Sequence, residues 1–197
     1  DLRSEVSISF EDAAFGCDKM IRLSDPSGSD SQTLQVHVPA GIENGKSIRL
    51  KGKGNPGFNG GEAGDLLLKV NIQPKPGYER NGMDVYTTTE IPFTTAVFGG
   101  EAKVSTLYGD VICRIPEGAQ TGRKIRLKGK GVPSLRNKNI RGDHYVTLVV
   151  QVPTKLNEEA KEALRKFDEA CGNRPATEPK DGSEKSEKKK KSFMDKL

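Results

Sequence analysis

The chain has 197 residues, of which 33% are hydrophobic, 22 are Gly and 11 are Pro. This length allows one or two domains with cores of their own, and the composition favours short strands joined by turns over a helical bundle. The net charge is +5, but +3 of it falls in residues 172–197, so the remainder is nearly neutral and no nucleic-acid surface is expected. No apolar run approaches the ~20 residues of a membrane span, and the charged start shows no secretory core. We therefore expect a cytoplasmic protein without membrane contacts.

The cysteines and histidines exclude the common metal and catalytic patterns. Cys17, Cys113 and Cys171 are far apart and form no CxxC pair, and neither His37 nor His144 has a cysteine or an acidic cluster at ligand spacing. A zinc site, a redox motif and a nucleophile–base constellation are all unsupported. We expect no metal, no cofactor and no enzymatic activity.

An internal repeat organises the chain. Residues 34–56 align with residues 111–133 at an offset of 77, and 11 of the 23 positions are identical. The hexapeptide RLKGKG occurs whole in both copies, at Arg49–Gly54 and Arg126–Gly131. Upstream, FEDAAFG matches FTTAVFG at an offset of 83. Such self-similarity indicates two copies of one subdomain.

Both copies predict the same elements, namely a strand, a short helical turn and four further strands. Ser9 is placed to cap the first turn, with Asp12 as its partner acid. The predicted strands are Glu5–Ser9, Lys19–Leu23, Thr33–Val38, Ser47–Lys51 and Asp65–Ile72, then Val85–Ile91, Ala102–Thr106, Asp110–Ile115, Lys124–Lys128 and His144–Val152. Alternating apolar residues between turns predict antiparallel sheets. The fold class is therefore mainly β, with two tandem β-sandwich-like subdomains, residues 1–76 and 77–155, joined near Lys75–Asp84.

A helix and a tail follow the second copy. Asn157 is a plausible N-cap, the next two residues are acidic, and Gly172 is a stop signal, which predicts an amphipathic helix over 156–171. Residues 172–197 are rich in Pro, Ser, Gly and charge, and we expect a flexible charged tail. The lysine run Lys188–Lys191 lies beside acidic residues and fits a solvated segment.

Two glycine-rich segments resemble nucleotide-binding loops. Residues 40–47 fit a relaxed phosphate-loop pattern, and residues 52–57 fit GxGxxG. Both sites require a helix to begin there, whereas one segment enters a predicted strand and the other runs into further Gly and Pro. A hairpin turn, with Gly41 and Gly45 supplying unusual φ angles, is the preferred interpretation.

The residues together resemble a known family. The segments DLR at 1–3, FEDAAFG at 10–16, VPAG at 38–41, GDL at 64–66 and the paired RLKGKG motifs resemble the two C-terminal β-domains of bacterial DnaJ-type co-chaperones. Pro153–Phe167 is similar to the helix that follows those domains. The resemblance covers about residues 1–170.

The resemblance implies a groove in the first subdomain that binds extended apolar segments of unfolded polypeptide. The groove positions carried over by motif are Val6, Ile21, Leu23, Leu34 and Leu68, and Ile8 joins them because it shares a strand face with Val6. Alternation alone fits a core equally well. Binding by strand addition would explain weak sequence selectivity.

The resemblance also implies partners. These are unfolded clients, a DnaK-type heat-shock ATPase and a second copy of the chain, with dimerisation through Leu156, Ala160, Leu164 and Phe167. The family's J-domain and cysteine-rich zinc region are absent from this sequence, and a short polar segment, Ser24–Ser31, stands where the zinc region is expected. Zinc is thus expected only in a full-length relative. The alternative function is a structural dimerisation module that binds no client.

Overall fold

The computed structural model describes residues 1–24, 31–57 and 61–173. They divide into two compact units, one from Asp1 to Pro153 and one beginning at Thr154. The first unit is mainly β, as predicted, and each sequence repeat forms a subdomain of two sheets.

The first subdomain contains five strands and one short helix. They are β1 (Leu2–Ile8), α1 (Phe10–Phe15), β2 (Cys17–Ser24), β3 (Ser31–Val38), β4 (Ser47–Leu50) and β5 (Leu66–Ile72). One sheet has the order β1-β5-β4, with β1 parallel to β5, and the other is the antiparallel pair β2-β3.

The second subdomain repeats this plan and adds one strand. Its elements are β6 (Tyr78–Asn81), β7 (Asp84–Pro92), α2 (Phe93–Phe98), β8 (Gly100–Thr106), β9 (Gly109–Ile115), β10 (Lys124–Leu127) and β11 (His144–Gln151). The sheets are β10-β11-β7-β6 and β8-β9. Equivalent pairs keep the same register: Leu2 lies opposite Leu66 as Val85 lies opposite His144, and Cys17 lies opposite Val38 as Gly100 lies opposite Ile115. The repeat in sequence is thus a repeat in structure, residue by residue.

Each subdomain has a core between its two sheets, and a third cluster joins the subdomains. In the first core, Ile8, Val38 and Val70 pack with residues of α1 and the loop after β3. Ile91, Ile115 and Leu148 form the corresponding core of the second subdomain. The joining cluster consists of Phe10 and Ala14 from α1 with Val85 and Val132. The helix α1 therefore contributes to both subdomains.

In each subdomain one aspartate holds the RLKGKG segment against the start of the last strand. Arg49 is paired with the Asp65 carboxylate, which also accepts a hydrogen bond from the Gly52 amide at 2.8 Å. Arg126, Asp143 and Gly129 repeat this arrangement, again with 2.8 Å at the glycine amide. The glycine amide and then the arginine lower the pKa of each aspartate. The hexapeptide thus recurs for a structural reason, since it anchors the loop to the start of β5 or β11.

His144 is a buried polar residue at the start of β11, where it lies opposite Val85 of β7. It is 0% exposed, its Nε2 lies 2.7 Å from the Thr87 hydroxyl, and its Nδ1 has no hydrogen-bond partner among the described protein groups. Burial lowers the pKa of this imidazole. Its equivalent in the first subdomain is Leu66, which is also 0% exposed.

We expect His144→Leu to reduce the loss of stability on acidification. The buried ring resists a proton that the unfolded chain accepts near its ordinary pKa of ~6.5, so the wild-type histidine costs stability as pH falls below that value. Denaturant unfolding at a series of pH values between about 7.5 and 5 should show a shallower decline for the variant. If the free energy of unfolding fell equally with pH in the wild type and in His144→Leu, the buried histidine would not be a cause of the acid sensitivity.

The helix α3 (Glu158–Ala170) makes up most of the second unit's described part. Its predicted N-cap is confirmed, because the Asn157 side chain accepts a hydrogen bond from the Ala160 amide at 2.8 Å. Glu158 and Glu159 occupy the first turn, and Gly172 follows with φ +72°. No helix in the described parts of the chain is long and apolar enough to cross a membrane.

Several sequence predictions can be compared directly with these elements. The capping box of Ser9 and Asp12 and the positive φ angles of Gly41 and Gly45 are confirmed. The hairpin predicted around these two glycines is wrong, because β3 and β4 belong to different sheets. The prediction of antiparallel sheets is wrong for the pairs β1–β5 and β7–β11, which are parallel. β1 begins at Leu2, three residues earlier than predicted. The segment Lys75–Asp84, predicted as a joint, contains β6. The polar segment around residues 25–30 and the tail beyond residue 173 lie outside the described residues.

Candidate functional site

The candidate binding residues of the first subdomain lie on the facing sides of its two sheets. Val6 of β1, Ile21 of β2 and Leu34 of β3 are partly exposed. Ile8, Leu23 and Leu68 are 1%, 9% and 0% exposed, so they lie beneath that surface. Ile8 belongs to the first core, and Val6 packs against the same cluster. The six residues thus divide into three that solvent reaches and three that support them; their assignment to binding stays a prediction.

Two strand edges beside these residues have no partner among the described strands. β1 pairs only with β5, and β2 pairs only with β3. An edge strand presents unpaired backbone N–H and C=O groups to another extended chain. Edges that flank partly exposed apolar side chains offer both contacts that an extended peptide needs.

The second subdomain closes one of the corresponding positions. Val104, the equivalent of Ile21, is 3% exposed and packs with Cys113 and Val146. Thr106, the equivalent of Leu23, donates its hydroxyl to the Gly109 carbonyl at 2.7 Å in the turn between β8 and β9. The larger isoleucine in the first subdomain remains accessible, which distinguishes the two copies.

The polar and reactive groups near the candidate site have structural partners. Asp12 forms an ion pair with Lys19 at 3.5 Å, and the exposed His37 binds Asp18 at 2.8 Å. Burial, and then the Asp12 charge, raises the pKa of the Cys17 thiol, and burial raises that of Cys113. Both thiols are therefore protonated at neutral pH, and thiols in that form are poor nucleophiles. The arrangement can bind a chain through backbone and apolar contacts.

The candidate dimerisation residues line one side of the second unit. Leu164 and Phe167 are each 44% exposed, and Leu156 and Ala160 are partly exposed. Ala160, Leu164 and Phe167 are four and three residues apart and therefore lie on one face of α3, whereas Leu156 precedes its N-cap. These apolar side chains are thus partly or largely exposed to solvent.

Comparison with known proteins identifies relatives. Residues 2–153 match the family model described as DnaJ C terminal domain. The chain is 49% identical over 142 residues to Chaperone protein DnaJ of Lachnospira eligens, covering 72% of this chain and 38% of that protein. It is 45% identical over 168 residues to the protein of the same name from Streptococcus uberis, covering 85% and 42%. The chain thus spans about two fifths of the length of these relatives.

Proposed function

The chain therefore belongs to the DnaJ C-terminal domain family, and we propose that it binds extended apolar segments of unfolded polypeptide and presents them to a DnaK-type heat-shock ATPase. Members of the family act as chaperones. The observation that carries the proposal is the open side of the first subdomain, where Val6, Ile21 and Leu34 remain partly exposed beside the free edges of β1 and β2. We call this surface the client groove, with Ile8, Leu23 and Leu68 beneath it.

Strand addition is the binding mode that these features favour. Backbone hydrogen bonds at a sheet edge do not depend on the side chains of the added strand, whereas apolar positions select which segments bind. Unfolded chains expose apolar residues in extended conformations that a folded protein has buried. A groove of this kind therefore discriminates between unfolded and folded polypeptide rather than between particular sequences.

A homodimer through α3 would strengthen such binding. The exposed Leu164 and Phe167 are large apolar side chains that gain free energy when another surface covers them. Two grooves on one dimer act on a long client at high effective concentration, which raises the overall affinity without new contacts. We propose a cytoplasmic homodimer that needs no cofactor for client binding in this segment.

An aggregation assay with sizing of the same sample tests the proposal. We expect the chain to suppress light scattering by a denatured client at near-equimolar concentration, and to elute as a dimer. A dimer that fails to suppress aggregation even in molar excess would contradict client binding and favour the alternative, a structural dimerisation module. A monomer that suppresses aggregation would contradict dimerisation and would still support client binding at the groove.

A further inference from the structure

The segment between β10 and β11 concentrates positive charge on the second subdomain. Residues 128–142 contain five Lys or Arg residues and no Asp or Glu, whereas the other residues up to 171 contain 19 Lys or Arg against 22 Asp or Glu. We call these five cations the basic patch: Lys128, Lys130, Arg136, Lys138 and Arg141. In the described part of the chain none of the five forms an ion pair, whereas the neighbouring Arg126 is paired with Asp143. The protein itself therefore does not neutralise the patch.

The loop that carries three of these cations has a defined backbone. Pro133 and Arg141 form an isolated β-bridge at its base, and the Ser134 amide donates to the Ile140 carbonyl at 2.8 Å. Residues 135–139 form the exposed tip between these contacts. A ligand that binds at the tip therefore meets a backbone that is already ordered, which lowers the entropic cost of binding.

Tyr108, in the turn between β8 and β9, holds the cations at the base of the loop. Its ring centroid lies 4.5 Å from the guanidinium carbon of Arg141 and 5.7 Å from Nζ of Lys130, and its hydroxyl donates to the Gly131 carbonyl at 2.9 Å. An aromatic ring attracts a cation and leaves its positive charge in place. The exposed Phe15 packs edge-on against Tyr108, with ring centroids 5.5 Å apart. Positive charge and apolar surface thus lie side by side.

Two exposed aliphatic side chains accompany the cations of the loop and narrow the choice of ligand. Leu135 and Ile140 are 49% and 53% exposed and lie at the two ends of the tip. A loop that enters a membrane carries its apolar side chains foremost, whereas residues 136–139 read Arg-Asn-Lys-Asn. A nucleic acid stacks its bases on exposed aromatic rings, and the exposed apolar side chains of this loop are aliphatic. A polypeptide segment with acidic and apolar residues satisfies both kinds of contact.

We propose that the basic patch binds an acidic segment of another polypeptide, with carboxylates on the cations of the tip and apolar side chains against Leu135 and Ile140. The site lies in the second subdomain and does not depend on the client groove. The corresponding loop of the first subdomain, residues 51–64, contains two lysines and one glutamate, so it lacks the same charge. The chain can therefore hold an acidic segment and an apolar segment at separate places.

Fluorescence anisotropy with the full chain and two labelled peptides tests the charge contact. One peptide has glutamates separated by leucine and glycine, and the other has glutamine at every glutamate position. We expect the glutamate peptide to bind more tightly, and to lose that advantage between about 0.01 and about 0.15 M salt, because salt screens exposed charges. Arg136→Gln combined with Lys138→Gln should weaken the glutamate peptide by about three- to tenfold, the effect of two exposed charge contacts.

The matched control is Arg114→Gln combined with Arg123→Gln. Both arginines are exposed and belong to the same subdomain, Arg114 near the end of β9 and Arg123 just before β10. The control removes the same charge away from the loop, so it should bind the glutamate peptide as the wild type does. Equal losses in the two double variants would show attraction by net charge alone and overturn the site. An unchanged affinity in the variant of the tip would overturn it as well.

Ile140→Ser tests the apolar contact. It should weaken the glutamate peptide by about threefold and leave a peptide of glutamate and glycine unaffected; equal effects on both peptides would overturn the assignment to a polypeptide. A single-stranded oligonucleotide or anionic phospholipid vesicles that bind more tightly than the peptide would reassign the patch and overturn the proposal. Ile21→Ser should leave the glutamate peptide unchanged. A loss there would place the peptide in the client groove instead, against this proposal and in favour of the proposed function.

Discussion

Replacing Ile21 with serine is expected to weaken binding of an extended apolar peptide by about ten- to a hundredfold while the fold persists. Burial of an isoleucine side chain contributes ~1.5–3 kcal/mol, and each 1.4 kcal/mol corresponds to a factor of about ten in affinity. Ile21 is only partly covered in the free protein, so most of this gain belongs to the complex. Fluorescence anisotropy with a labelled peptide measures the affinity, and denaturant unfolding measures the stability.

Met20→Ser is the matched control for this change. Met20 is the neighbouring residue on β2, points to the opposite face and is 66% exposed. It loses a comparable apolar side chain outside the client groove, so its affinity should equal that of the wild type. Leu23 is a poorer choice for substitution, because at 9% exposure its replacement would disturb the core as well. Wild-type affinity in a folded Ile21→Ser protein, or equal losses in both variants, would remove Ile21 from the site.

Local sequence signals were sufficient to predict the strands and turns of the repeated part of the fold, but not the parallel pairing of β1 with β5 and of β7 with β11, where antiparallel sheets were predicted. The strands follow from period-two alternation, and the turns between them follow from Gly and Pro, both of which act over a few residues. The capping box at Ser9 is equally local. The repeat gave a second copy of each of these signals, because the same set of strands and turns had to fit both segments of the sequence. These features explain why the strand order along the chain could be predicted for both subdomains.

Exposure within the candidate groove could not be predicted from the same signals. The alternating pattern indicates that Val6 and Ile8 lie on the same face of their strand. It does not indicate how far the opposite sheet covers each side chain. Ile8 is enclosed by the first core, whereas Val6 at the middle of the strand remains partly exposed. The same limit applies to Ile21 and Val104, which occupy equivalent places with different burial. Burial depends on long-range packing, which a window of neighbouring residues does not contain.

The strand β6 was missed for a related reason. It has only four residues, follows a Pro-Gly turn signal and reads Tyr-Glu-Arg-Asn, without the alternation of apolar residues that indicates a strand. Its stability comes from β7, from the Tyr78 contacts and from Arg80, which donates to the Ile42 and Gly41 carbonyls of the first subdomain at 2.7 and 2.8 Å. All of these partners are distant in sequence except β7. A propensity argument therefore predicts a loop where tertiary contacts form a strand.

Gly41 lies at the contact between the two subdomains, and its replacement by alanine is expected to destabilise the protein by ~3 kcal/mol or more. Its φ is +84°, and an added Cβ would lie 2.3 Å from the Pro133 carbonyl oxygen and 2.9 Å from the Leu135 nitrogen. The left-handed conformation alone costs ~1–2 kcal/mol for alanine. The remainder arises because the clash is with backbone of the other subdomain, which moves only if the contact around Gly41 opens.

Gly45→Ala separates the two contributions, because Gly45 has φ +80° in the same loop but nothing within 4 Å of its added Cβ. We expect it to lose only the ~1–2 kcal/mol of the backbone term. Denaturant unfolding followed by circular dichroism and by tyrosine fluorescence should give coincident curves for Gly45→Ala and separated curves for Gly41→Ala, since the latter uncouples the subdomains. Equal losses of stability in Gly41→Ala and Gly45→Ala would mean that the loop containing Pro133 moves away from the added Cβ at little cost in free energy. In that case the joining cluster of Phe10, Ala14, Val85 and Val132, and not the approach of Gly41 to Pro133, would be the contact that couples the two subdomains.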